Sequence, residues 1–233
     1  MAITIADIAN EAGVSRATVS GVLNNNPNVA AKTKERIQAI IKKHGYRPNA
    51  MARGLAMRTT GMIGLIVKDI SNPLYSKIAL GVEEFCDEAD YSVVMGNTHK
   101  DWEREVEYAN LLKHGRVDGL IIFPLQKDTD LQHIRDLKDA DLPFVLLADL
   151  PGIDADLVRA DDESGAFDAA EHLINQGCKK LAYLSGPKEF LASDRRLAGF
   201  KKALKKYKIE FNDDCVFQSG WRMEDGYETG LRM

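Results

Sequence analysis

Apolar residues in the first 45 positions recur at helical spacing. Ile5, Ile8 and Ala9 share one face of a short helix behind Thr4, a residue type that caps helices. Ala12-Gly13-Val14 interrupts the pattern. Gly13 can take a positive φ without a Cβ penalty, and Ser15 stands where it can cap a second helix carrying Val19, Val22 and Leu23. A third helix over about Ala31–His44 sets Ile37, Ile40 and Ile41 on one side and ends at Gly45. Pro48 bars its continuation, and Asn49 can cap a short further helix. From Gly61 the period changes to short apolar runs separated by helical patterns. MIGLIV precedes a helix over about Leu74–Ala89, YSVVMG a helix over about Trp102–His114, and VDGLIIF a helix over about Leu131–Lys138, after which FVLLA follows. A second series has a helix from Asp162 to Gln176, the strand KLAYLSG, a helix over about Asp194–Tyr207 and the segment CVFQSG. Such alternation predicts parallel strands with helices on both faces, behind an all-α head.

Two short helices across a glycine-containing turn make a helix-turn-helix, whose second helix enters the major groove with its N-terminal residues leading. Those residues are Ser15, Arg16, Ala17 and Thr18, with Ser20 one turn on. Arg16 can donate two hydrogen bonds to a guanine, the hydroxyls suit phosphates or base edges, and Ala17 can touch a thymine methyl. Thr4 and Asn24, at the two ends of the motif, complete the expected DNA-facing set. The plain alternative is a helical hairpin that only packs, with Arg16 a solvated charge.

Charge changes that balance. Residues 1–58 carry nine Lys/Arg against three Asp/Glu, a net of +6, so the remainder of a chain with formal charge −4 sums to −10. A basic head on an acidic body implies that the head meets a polyanion while the body does not. Cys86, Cys178 and Cys215 are odd in number and far apart, which excludes a disulfide framework and leaves the reading of buried thiols. Five scattered His residues give no metal geometry, and no motif calls for a cofactor. No stretch approaches the ~20 apolar residues that cross a bilayer, and no export signal opens the chain, so a cytoplasmic protein without membrane contact is expected. GxGxxG after a strand, GxxxxGK[ST] and GxSxG are all missing, and the SGP at 185–187 lacks the partners of a nucleophile, so catalysis is not expected.

The segments TIADIANEAGVSRATVSGVLN, GYRPNAMARGL, TGMIGLIVKDISNPLY, RVDGLII and RLAGF resemble the LacI/GalR family of bacterial transcriptional regulators, and the resemblance runs from end to end of the chain. It implies a helix-turn-helix DNA-binding domain at 1–48 and a hinge helix and linker at 49–60. The N-terminal lobe of a periplasmic-binding-protein-like effector body would follow at 61–161, and its C-terminal lobe at 162–233. It also implies a homodimer on palindromic double-stranded DNA, acting as a repressor under a small, sugar-like effector. Asn49 and Leu55 then join the DNA-binding residues, Leu55 as a minor-groove wedge between Arg53 and Arg58. Gly21 stands where relatives often carry a larger base-reading residue, so one contact is expected to be missing. Because the family's second lobe and the returning strand of its first extend further, the second lobe is expected to be incomplete at Met233 and the chain to look truncated.

In open α/β sheets ligands bind beyond the carboxyl ends of strands. The residues that follow the strands are Leu74 and Tyr75, Phe123, Asp149, Asp161, Phe190, Arg196 and Trp221, the expected effector-binding set. Arg196, in RLAGF, matches the family arginine that grips the effector, and its planar fork suits a carboxylate, a phosphate or paired hydroxyls. Asp149 and Asp161 can accept from hydroxyls, and Tyr75 or Trp221 can cover a ring. Asp161-Asp162-Glu163 reads equally well as an acidic cluster complementing a helix N-terminus. Phe190 and Ala192 replace polar residues of the family's purine-binding members, which argues against a purine. The competing reading for the body is a sugar-binding protein of the periplasmic type with no transcriptional role.

Overall fold

A computed structural model describes residues 3–24, 26–46, 59–125 and 130–233. Asn49 and Leu55 lie outside the described residues. The chain divides into two compact units, Met1–Thr60 and Gly61–Met233.

The first unit holds helices α1 (Ile5–Ala12), α2 (Arg16–Leu23) and α3 (Ala31–His44). A capping box opens α1: the Asp7 N–H donates to Thr4 Oγ1 at 3.3 Å while the Asp7 carboxylate accepts from the Thr4 N–H at 2.9 Å. Gly13 ends it at φ 61°, the left-handed conformation that favours glycine. Ile8, Ala9 and Ala12 of α1 pack on Val19 and Val22 of α2 and on Ile37 and Ile40 of α3. Ile8, Val19 and Ile37 are fully buried. Glu11 ties the ends of α1 and α3 together through Lys43 at 2.8 Å and His44 Nε2 at 2.7 Å. Both pairs are exposed, so they contribute little beside the apolar core.

The second unit begins with a five-stranded parallel sheet in the order β2-β1-β3-β4-β5. Its strands are β1 (Met62–Val67), β2 (Ser92–Asn97), β3 (Gly119–Ile122), β4 (Phe144–Leu146) and β5 (Asp156–Leu157). The crossovers contain α4 (Pro73–Glu88), α5 (Trp102–Lys113) and α6 (Gln132–Asp139). Successive β1 residues serve opposite faces: Ile66 packs with Leu112 and Ile134 beneath α5 and α6, while Leu65 and Val67 pack with Tyr75 and Val82 beneath α4. That two-sided burial is why MIGLIV reads as a continuous apolar run.

The following part comprises α7 (Asp162–Asn175), β6 (Tyr183–Ser185), α8 (Leu191–Lys206), a 3₁₀ turn at Asp213–Cys215, β7 (Val216–Gln218) and α9 (Met223–Arg232). Strands β6 and β7 form a parallel pair. Ala170 of α7 packs on Phe200, Ala203 and Leu204 of α8. Gly199 makes this approach possible, since a Cβ there would lie 2.0 Å from the Glu163 carbonyl oxygen. The glycine of RLAGF is thus a close-packing position that brings Arg196, three residues earlier, against the start of α7. The reading of the cysteines needs correction. Cys86 is buried as expected, but Cys178, in the turn after α7, is exposed and Cys215 is partly so.

Candidate functional site

Helix α2 carries two opposed faces. Val19 and Val22 are buried, whereas Arg16, Ala17 and Asn24 are exposed and Ser20 is half-buried. Spacings of three and four residues align Arg16, Ser20 and Asn24, with Ala17 and Gly21 beside them. Ser15 Oγ accepts from the Thr18 N–H at 3.1 Å and lies 2.9 Å from Thr18 Oγ1, so these two hydroxyls fix the start of α2. Asn24 Nδ2 reaches back to Ser20 Oγ at 3.5 Å. Thr4 is committed to its capping box; its hydroxyl also holds the exposed Asp7 carboxyl below the usual range. Gly21 has a packing reason as well as a possible lost contact: a Cβ there would stand 3.3 Å from Val29 Cγ2 of the turn that folds back on α2. The result is an exposed, partly rigid surface with a guanidinium at its leading end.

In the second unit a cavity of about 790 Å³ opens beyond the carboxyl ends of β1, β3 and β4, at the point where the strand order reverses. Leu74, Tyr75, Phe123, Phe190, Arg196 and Trp221 all line it. Asn72 Oδ1 caps α4 by accepting from the Leu74 N–H at 3.0 Å, and Pro73 follows at the first helical position, which fixes how the helix enters the site. The Tyr75 ring meets Phe123 edge-on at 5.0 Å, and burial pushes its hydroxyl pKa up to about 12. Phe190 meets Trp221 at 5.9 Å, and the Arg196 guanidinium lies 5.2 Å from the Trp221 ring centroid. Trp221 packs over Gly186, just past β6, where a Cβ would clash with it at 2.1 Å. Arg196 Nε donates to Asp162 Oδ1 at 2.6 Å. Apolar rings with a few held polar groups are what a pocket for a small, partly polar molecule requires.

Two of the expected acids stand elsewhere. Asp161 is exposed and caps α7, accepting from the Ser164 N–H at 3.1 Å, a bond that holds its carboxyl below the usual range. The reading of this acidic cluster as a helix N-terminal device is therefore realised at Asp161, while Asp162 faces the cavity. Asp149 lies just behind the wall, where Ala148 stands, and is engaged by Arg159 at 2.9 Å and by Arg195. Sequence reasoning weighed Asp162 only within that acidic cluster and missed Arg159 and Arg195; the three line the cavity from α7, from the segment before it and from α8. It also missed Lys68, which lies buried behind the Phe123 and Phe190 walls. That residue directly follows β1, so the rule of looking past strand ends contained the signal. Among the described residues no cluster of three or more His, Cys, Asp or Glu could hold a metal, and no helix is long and apolar enough to cross a membrane.

Comparison with known proteins covers both units. The pattern described as "Bacterial regulatory proteins, lacI family" matches residues 4–49, and "Periplasmic binding proteins and sugar binding domain of LacI family" matches residues 60–229. Catabolite control protein A of Priestia megaterium is 35% identical over 231 residues, which is 98% of this chain and 69% of that protein. Its namesake in Staphylococcus xylosus is 37% identical, over 100% of this chain and 69% of that protein. Among solved structures, the lac repressor dimer bound to operator and an anti-inducer aligns with 100% of this chain and 70% of its own, at 28% identity and a TM-score of 0.85.

Proposed function

The chain belongs to the lacI family of bacterial regulatory proteins, and from that premise we propose that it is a sequence-specific DNA-binding repressor whose operator affinity is set by a small effector bound in the cleft of its second unit. The observation that carries the reading is the pairing, in one chain, of an exposed α2 face led by Arg16 with an aromatic-walled cavity gripped by Arg196. A transport-type binding protein has use for the cavity alone, and the basic head disfavours that alternative. Residues 1–48 serve as the DNA-binding domain, 49–60 as the hinge, and 61–161 and 162–233 as the two lobes of the effector body. Arg16 donates its two N–H groups to a guanine edge and Ala17 contacts a thymine methyl, with Ser15, Thr18, Ser20, Asn24 and Thr4 at the backbone or base edges. Lys32 and Lys34 contribute sequence-independent attraction to phosphates. Asn49 and Leu55, outside the described residues, complete the proposed DNA-binding set, Leu55 as a minor-groove wedge.

A related repressor binds its operator as a dimer, and the same two-fold arrangement on a palindrome is proposed for this chain, acting in the cytoplasm as a binding protein rather than a catalyst. The effector belongs with sugars and their derivatives, because rings that can stack on Trp221 and polar groups that can take Arg196 describe such molecules. Its control works by differential affinity: a ligand that favours one arrangement of the lobes changes operator binding by its preference for that arrangement. Selection of binding sites from a random duplex library tests the reading. One palindrome, bound with a steep salt dependence, is expected; recovery of no common sequence overturns it.

A further inference from the structure

Among the described residues, Lys68 is a large charged side chain that the second unit buries behind two walls of its own ligand site, Phe123 and Phe190. It directly follows β1, at the strand end where the cavity opens, and is 1% exposed. Its Nζ lies 5.0 Å from the ring centroid of Phe123 and 4.5 Å from that of Phe190, two walls of the cavity contributed by opposite parts of the unit. No hydrogen-bond partner reaches it among the described residues. Its most favourable charged neighbour is Glu105. That carboxylate is already engaged, accepting from the Leu125 N–H at 2.8 Å and lying 3.0 Å from His133 Nε2. Lys100 acts against the ammonium and Glu189 for it, both weakly beside desolvation, which pulls the Lys68 pKa down to about 8.

A buried ammonium with ring faces and an already engaged carboxylate for neighbours, and no hydrogen-bond acceptor among the described residues, is costly to fold around, since cation–π contacts replace only part of its lost hydration. The side chains that line the cavity itself are also mostly cationic. Lys77, Arg159, Arg195 and Arg196 line the cavity against Asp162 alone, with Asp149 behind the wall between Arg159 and Arg195. This cationic cleft sits in a body whose residues 59–233 sum to −10.

We infer that the effector of this cleft carries an oxyanion, a carboxylate or a phosphate ester, and that Lys68 is the residue that selects it. The inference rests on the proposed effector role of the cleft and sharpens it. The ammonium is clasped between Phe123 and Phe190. Movement of Phe190 away from Phe123 bares Nζ at the strand end, where an entering oxyanion supplies the acceptor that the fold omits. The pyranose of such a molecule then stacks on Trp221, and Arg196 reaches its remaining oxygens.

Calorimetric titration of the full chain with glucose, glucuronate, glucose 6-phosphate and inorganic phosphate tests this on one ring carrying no charge, a carboxylate or a phosphate. At least one of the two anionic sugars is expected to bind about tenfold or more tighter than glucose, the scale of a hydrogen bond to a charged group. Which of the two wins identifies the oxyanion. In Lys68→Met that preference should fall below about twofold, in Lys68→Arg it should persist, and the melting temperature of Lys68→Met should rise by roughly 6–12 °C near pH 7 as the desolvated charge is removed. A purely structural lysine would lower the melting temperature when replaced and leave the preference alone. Glucose binding as tightly as both anionic sugars, or a preference that survives in Lys68→Met, overturns the inference and leaves the effector role of the cleft standing. Failure of every probe to bind at millimolar concentration contradicts both.

Discussion

The head and the cleft solve recognition in opposite ways. In the head, the buried side chains among the described residues are apolar and the proposed recognition groups stand outside them: Ile8, Val19 and Ile37 are fully buried while Arg16 and Ala17 are exposed. Its polar groups satisfy one another locally, as Thr4 with Asp7 and Ser15 with Thr18. The cleft instead draws its side chains from positions as distant as Leu74 and Trp221, and buries one charge, on Lys68, without a hydrogen-bonding partner among the described residues. A surface that meets a polyanion can keep its charges hydrated until contact. A pocket that selects a small molecule can hold a charge already desolvated, at a cost in folding free energy.

The sharpest way to break the comparison is to attack each region through its interior. Ile37→Ala removes a fully buried side chain from the head and should cost about 2–5 kcal/mol there. Operator binding should disappear while ligand binding in the cleft persists, as gel shift and calorimetry on the same preparation would reveal. Loss of both activities together would mean that the two regions are not separable.

In the cleft the corresponding probe is pH. Because the folded-state pKa of Lys68 is pulled from 10.5 to about 8, the unfolded chain holds this proton more tightly than the folded one between those values. The stability contributed by this group therefore rises with pH across that window and is lost as pH falls through about 8, an effect on the order of 3 kcal/mol. Glu105, Lys100 and Glu189 are the charged groups acting on it. Denaturant unfolding of wild type and Lys68→Met should show the gap between them closing from pH 7 toward pH 10. A gap independent of pH would place the titration elsewhere.

Smaller effects separate specificity from charge within the head. Arg16→Ala should weaken binding to the selected operator by about 1–3 kcal/mol and relax preference at one base pair per half-site. Lys32→Ala should lower affinity for all sequences alike and flatten the salt dependence. An unaltered motif from site selection with Arg16→Ala would remove this residue from the base-reading set. Smallest of all, Thr4→Ala should cost about 1 kcal/mol of head stability through its lost cap, with Thr4→Ser nearly neutral. A base-specific change in Thr4→Ala would give Thr4 a reading role besides its capping one.

The same contrast explains what could be read from the sequence. The three head helices follow from caps and periodicity because each is defined by residues within itself: Thr4, Ser15 and Gly45 mark their ends. Strands β1 to β4 were legible as apolar runs for the same reason. Strand β5 was not, since Asp156 and Leu157 are both exposed and owe their conformation to pairing with β4. Helix α9 was missed because Gly226 and Gly230 weaken its helical signal; its apolar residues Met223, Tyr227 and Leu231 recur at helical spacing but stay exposed, and only Thr229 is buried. Helix α8 begins at Leu191, three residues before its expected start, with Phe190 at the N-cap and no side-chain cap to announce it.

Six of the eight expected effector residues reach the cavity wall because strand ends and the RLAGF motif point there. Asp149 and Asp161 carry acceptors of the right type, but their partners, Arg159 and Arg195 for one and the α7 N-terminus for the other, are set by tertiary packing. Lys68 was passed over for a related reason. Its place after a strand end marked it for inspection, but nothing local tells a buried lysine there from a solvated one, and it is the convergence of Phe123 and Phe190 on it that shields it from water.

The central claim is that one chain couples a DNA-reading helix to a ligand-reading cleft, and the direct measurement is operator affinity as a function of cleft ligand. With whichever probe sugar binds, saturation should change the operator dissociation constant of the full chain by about fivefold or more. Arg196→Ala should abolish that change while keeping the ligand-free operator affinity. An operator affinity identical with and without bound ligand, or an equal response in Arg196→Ala, would contradict the account.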